Sequence, residues 1–128
     1  MGEFTGRWPN AEKYTVAWLK THTGRPVYTE TPLTLEQNLP AYQVTRVGGA
    51  GGPNFDKTVN IELDTIAATR GALWDAVAAA ETAMFRLAAN GTADWYVDDV
   101  EEVFSPAIEP HENSSVRRAT ATLSLIHI

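Results

Sequence analysis

The residues of this chain whose types could do chemistry are three histidines, two pairs of adjacent carboxylates, four serines and a glycine cluster. His22, His111 and His127 fall in a helix end, a proline loop and a terminal strand. None has a second ligand at the i+2 to i+4 spacing that builds a metal site, so no metal is expected. Asp98-Asp99 and Glu101-Glu102 could work as acid and base only if buried and held apart. Neighbouring residues on a strand point to opposite faces, which favours a solvated acidic edge over a catalytic pair. Ser105, Ser114, Ser115 and Ser124 lack the flanking pattern of an activated hydroxyl. With no cysteine there is no thiol, disulfide or zinc-thiolate chemistry. No catalytic residue and no cofactor site is expected.

The glycine cluster needs a separate argument. Gly48, Gly49, Gly51 and Gly52 surround Ala50 and end at Pro53. A phosphate-cradling loop needs a Lys-Ser/Thr pair and a helix N-terminus after the glycines. Here the alternating run Lys57 to Ile66 follows, with Val59, Ile61 and Leu63 on one face, and that pattern is a strand. The glycines are therefore expected to form a mobile hairpin tip suited to assembly.

The elements that position these groups are organised around a helix from Thr69 to Asn90. Thr69 is its expected N-cap and Gly91 its stop. Leu73, Ala76, Val77, Ala80, Met84, Leu87 and Ala88 recur on one buried face. Trp74, Ala78 and Phe85 form a second stripe, more than a domain this small can cover by itself. Ahead of it, Asn10 caps a helix over Ala11 to Thr21, with Ala11, Tyr14, Ala17 and Trp18 sharing a face and Gly24 and Pro26 ending it. Val27 to Thr31 reads as a short edge strand. Thr34 caps a single turn over Leu35 to Asn38. Ala41 to Val47 alternates as a strand. Ala93 to Ser105 suits either a helical face, over Val97, Val100, Val103 and Phe104, or a strand with a bulge to correct its phase; Gly91 before it and Pro106 after it favour the strand. Ser105 to Ser114 reads as a loop. Ser115 to Ile128 contains a strand with Ala119, Ala121, Leu123, Leu125 and His127 on one side and a mostly polar, wet set on the other.

These elements predict an α+β fold: a largely antiparallel or mixed sheet of about four to five strands, with two helices on one face, in the order α-β-β-β-α-β-β. The 128 residues suit one domain, 1-128, with 1-9 as a loose N-terminal leader. Trp8 in that leader either anchors on a partner or folds back. No apolar run approaches the ~18 residues of a membrane span.

The formal net charge is -6. It is concentrated, because the segment 87–116 holds seven acids and neither lysine nor arginine. That distribution suits a basic partner surface or the repulsion of a polyanion, and speaks against ordinary nucleic-acid binding.

The string LPAYQVTRVGGAGG, the Thr-Arg-led alanine helix and the closing NSSVRRATATLSL resemble tail terminator proteins of long-tailed bacteriophages. The resemblance runs from about Leu39 to the C-terminus, with the approach from Val27 fitting as well, and the leader has no counterpart in it. It implies a structural virion protein of the neck, with no enzymatic activity and no cofactor. It implies a homo-oligomeric ring, typically of six copies, capping the head-proximal end of the tail tube. Such a ring stops tube polymerisation and offers a docking face to head-closure or connector proteins. DNA passes through the lumen as cargo, and no membrane is involved. The location implied is the virion tail or neck, with host cytoplasm during assembly. Laid over this chain, Gly48, Gly49, Gly51, Gly52, Trp74, Phe85, Arg117 and Arg118 are candidates for partner contacts. Asp98, Asp99, Glu101 and Glu102 are candidates for the lumen wall, or for pairing with Arg117 and Arg118 of an adjacent copy. The rival readings are another neck protein (head-closure or connector adaptor), a small enzyme using the acidic pairs, and a host protein-binding module.

Overall fold

The computed structural model describes residues 11–30, 38–50, 58–91, 96–110 and 115–126. The leader with Trp8, the turn after Thr34, Gly51, Gly52, His111 and His127 lie outside these residues.

Helix α1 spans Ala11–Thr23 and buries Ala11, Thr15, Trp18 and Leu19. This corrects the expected face: Ala17 is exposed, and Thr15 and Leu19 take its place at the i+4 and i+8 positions from Ala11. The helix stops at Gly24, whose φ of 68° lies in the left-handed region and whose N–H donates to Lys20 O at 3.0 Å. Strand β1 (Val27–Tyr28) is short and pairs in parallel with β2 (Ala41–Ala50), Val27 opposite Tyr42.

Strand β2 runs antiparallel to β3 (Thr58–Ala67). Its register shifts between Arg46 and Gly48, and the ladder then continues with Gly48 opposite Asn60, Gly49 opposite Val59 and Ala50 opposite Thr58. The glycine run is therefore not all hairpin tip. Gly48, at φ 145°, helps absorb the bulge around Val47. Gly48, Gly49 and Ala50 then extend the strand.

Helix α2 spans Arg70–Arg86. Thr69 is its N-cap, the side chain accepting from Ala72 N at 3.2 Å. The expected end at Gly91 is wrong. Leu87 is the C-cap, Ala89 sits at φ 55°, and Asn90–Gly91 form β4, which pairs with β5 (Tyr96–Val97). Replacement hydrogen bonds, one of them tertiary, accompany the earlier stop. The last four carbonyls of a helix have no intrahelical donors, and here each finds another. Trp18 Nε1 donates to Ala83 O, Leu87 N to Met84 O, Ala88 N to Phe85 O and Asn90 Nδ2 to Arg86 O.

Strand β6 (Asp99–Glu109) runs antiparallel to β7 (Arg117–Ile126), with register shifts between Glu102 and Phe104 and between Phe104 and Ala107. The expected bulge is present, but the single strand expected over Ala93 to Ser105 is not: its described part is split at Asp98 into β5, which pairs with β4, and β6. Ser105 to Glu109, expected as loop, belong to this strand, which tolerates Pro106 because one of its edges has no strand partner.

The main sheet has the order β1-β2-β3-β7-β6, parallel only at β1–β2. Both helices lie on one face, α1 against β1, β2 and β3, and α2 against β3, β7 and β6. The fold is thus α+β as the periodicity predicts, with the small β4–β5 ladder as an addition. Tyr42, Val44, Val59, Ile61, Leu123 and Leu125 from the sheet pack against Trp18, Leu19, Ala80, Met84 and Leu87 from the helices. Tyr42 is fully buried and its hydroxyl donates to Ala76 O on α2. The opposite sheet face is polar along β3 and β7, but its β1 end holds a second apolar cluster of Ala41, Ile66 and Val116.

Candidate functional site

The groups with chemical potential are scattered by this fold. His22 stacks on Trp18 with ring centroids 4.0 Å apart, and its Nδ1 lies 2.9 Å from Trp18 O. Its ring is occupied in finishing α1. Among the described residues there is no group of three or more His, Asp or Glu that could hold a metal ion.

Register separates the acidic pairs. Asp99 lies opposite Ile126 and Glu101 opposite Ser124, both on the helix-free face, while Glu102 lies opposite Leu123 on the helix side. Asp98 is exposed just before the strand, and its N–H donates to Ile126 O. The four carboxylates therefore do not share one surface.

Glu102 instead meets Glu81 of α2. Burial pushes the Glu81 carboxyl above its ordinary value, and the hydrogen bond with Glu102 and that group's charge push it further. Ser105 Oγ donates to Glu102 Oε1 at 2.8 Å. The two carboxylates border a cavity of about 10 Å³ walled by Leu63, Val77, Ala80, Pro106, Ala121 and Leu123. That is the space of one water at most, too small for a substrate.

The helix-free face holds a second group of acids. Glu62, Asp64 and Glu109 stand with Arg118, Thr120 and Thr122. Asp64 is buried and accepts from Thr120 Oγ1 at 2.6 Å. Glu62 is raised by burial first and then by Asp64, with Arg118 opposing and Glu109 adding to the rise. With Asp99 and Glu101 at its margin, this face is a broad acidic and hydroxyl-rich surface.

The predicted contact residues divide similarly. Trp74 and Phe85 are 40% and 42% exposed. They are eleven positions apart on the helix, so they share one side of α2, roughly 16 Å apart along its axis. Glu81 lies between them on the same side, which therefore faces β6. Arg117 is exposed at the start of β7, with Nη1 donating to Val116 O, whereas Arg118 is half-buried and donates to Pro110 O at 2.7 Å. Gly48 is exposed in β2, away from Trp74 and Phe85.

Five further large apolar residues are exposed: Val47 of β2, Tyr96 of β5, and Val103, Phe104 and Ile108 of β6. Phe104, 69% exposed, lies opposite Thr122 on the helix-free face, and Ile108 lies opposite Ala119 on the helix side. Val103 falls in the register shift between Glu102 and Phe104, where the alternation of faces is broken, so adjacency in sequence does not predict both exposures. Among the described residues, five of the seven exposed large apolar side chains belong to α2 and β6, with Phe104 on the helix-free face.

No family model matches this chain, and no curated protein matches it. Among solved structures, a chain of the "Virion of native gene transfer agent (GTA) particle" has a similar fold, with a TM-score of 0.63 and 13% sequence identity. The alignment covers 94% of this chain and 98% of that one. The shared fold thus extends over nearly the whole of both chains.

Proposed function

We propose that this protein is a structural component of a phage-like virion, acting in the neck as a tail terminator. In this reading several copies, six by the family pattern, form a ring on the head-proximal end of the tail tube. The ring stops further polymerisation and presents a docking face to head-closure or connector proteins. DNA crosses its lumen as cargo. The chain has no catalytic task, and it reaches the virion tail from the host cytoplasm during assembly.

The observation that carries this reading is the fold shared, nearly end to end, with a chain of a gene transfer agent virion. The surfaces support it. A wedge in a ring has one face toward the lumen, one outward and two flanks toward its neighbours. The helix-free sheet face, with Glu62, Asp64, Asp99, Glu101 and Glu109, suits a lumen through which a polyanion must slide, because like charge opposes adhesion. Glu102 turns to the helix layer and takes no part in that wall.

Electron microscopy of particles carrying a tagged copy tests the proposal. The expected result is a ring with six-fold symmetry at the upper end of the tail. A twelve-fold ring would reassign the protein to the connector, and absence from purified particles would overturn the virion role.

A further inference from the structure

Strand β6 is held at its middle by less than its length suggests. It is an edge strand, and its ladder to β7 is interrupted twice, between Glu102 and Phe104 and between Phe104 and Ala107. Segments with interrupted ladders open at lower free energy than the core around them. Beneath this part of the strand lies the cavity of about 10 Å³ that α2 and β6 help to enclose. There the half-buried carboxyl groups of Glu81 and Glu102 meet.

The bonding of Glu102 is incomplete. Ser105 Oγ donates to Oε1 at 2.8 Å, but Oε2 has no surface open to water and meets no donor among the described residues. A buried acceptor left without a donor is costly. The Glu81 carboxyl can supply one, and only while it carries a proton, because an ionised carboxylate has none to give. The other elements packed here bring no charge to the pair: Leu63 and Thr65 of β3 and Ala121 and Leu123 of β7 line the cavity, with Val77 and Ala80 beside Glu81 on α2. Among the described residues Glu102 supplies the charge that acts on Glu81, and no cation offsets it.

We propose that Glu81 and Glu102 form a proton-operated clasp, in which one shared proton closes the middle of β6 onto α2 and its loss to solvent releases that segment. Two carboxyl groups in one site keep a proton between them because like charges side by side are unfavourable. Once the proton leaves, Glu102 Oε2 faces a like charge, and the cavity has room for one water at most. Hydrating both charges then requires the strand to move outward, which the interrupted ladder allows. Because burial and Glu102 raise the Glu81 carboxyl, the clasp is complete below the ordinary value of 4.5 and is lost as pH rises through the shifted one. The released segment carries Val103 and Phe104, so the proton also governs how these exposed side chains are presented. The device belongs to one subunit and operates whether or not copies form a ring.

Hydrogen exchange of the full chain, read by mass spectrometry at about pH 4.5 and about pH 8 and corrected for intrinsic rates, tests the clasp. At the higher pH, residues between Glu101 and Ala107 of the wild type should exchange at least about tenfold faster than in Glu81→Gln, whose amide donates at every pH. At the lower pH the two should agree. The β2 edge serves as an internal reference, since its Arg46 N–H donates at 2.8 Å to Glu12 Oε2 of α1, a bond that an ionised carboxylate accepts without a proton of its own. Glu102→Gln should protect the same segment, which keeps the test decisive if the first variant folds poorly. Equal exchange in the wild type and the variants at the higher pH, or an acceleration that spreads over β2 and β3, would overturn the clasp.

Discussion

Removing the indole N–H of Trp18 should cost more than removing the phenol of Tyr42, although both are buried side chains donating to a carbonyl of α2. The difference lies in the acceptors. Ala76 is in the helix interior, where its carbonyl also takes the N–H four residues on. Tyr42→Phe leaves that bond in place, and the loss should be about 0.5–1.5 kcal/mol, the net value of one hydrogen bond. Ala83 carries one of the last four carbonyls, and the Leu87 N–H that would serve it has turned to Met84 O. Trp18→Phe therefore strands a buried acceptor, at about 1–3 kcal/mol, and removes part of a packed ring, adding roughly 1 kcal/mol. The expected total is about 2–4 kcal/mol. Urea unfolding followed by circular dichroism reads both losses, with unchanged slopes required for the comparison. Equal losses, or a larger one for Tyr42→Phe, would refute the idea that Trp18 closes the end of α2.

Two other substitutions test buried polar groups. Because the folded-state pKa of Glu81 is raised, its contribution to stability is favourable below the ordinary carboxylate value of 4.5 and is lost as pH rises through the shifted value. Glu81→Gln should remove that loss, so the variant gains on the wild type between about pH 4.5 and neutrality; parallel stability curves would contradict the Glu81–Glu102 contact. Thr15 is fully buried and its hydroxyl meets no partner among the described residues. Thr15→Val keeps the shape and should raise stability by about 1 kcal/mol in the same urea assay, whereas a loss would mean that the hydroxyl is bonded.

Periodicity made the architecture legible. The alternation in Lys57 to Ile66 and in Ala119 to Leu125 marks two interior strands, β3 and β7, whose burial alternates over Thr58–Leu63 and Arg118–Leu123 before both faces become covered. What escaped was set by tertiary bonds. No local pattern shows that Trp18, 65 residues away, would accept the task of capping Ala83. Without that, Gly91 looked like the natural helix stop. Proline likewise argued for a loop at Pro106, because the sequence does not announce that this strand would lie at an edge. Trp74 and Phe85 stood out because one helix has too many large apolar positions for one buried stripe. Val103, Phe104 and Ile108 did not, since their exposure depends on which end of the sheet β6 occupies.

The Glu12 carboxylate on the Arg46 N–H has a bearing on timing. It takes one backbone donor of the β2 edge out of reach of another chain, as Pro106 and the register shifts blunt the edge of β6. Blunted edges of this kind disfavour strand-on-strand stacking of like chains, including while a chain waits for its partners. In the ring proposed above, joining would then fall to side-chain surfaces, and the backbone of each copy would be the same before and after.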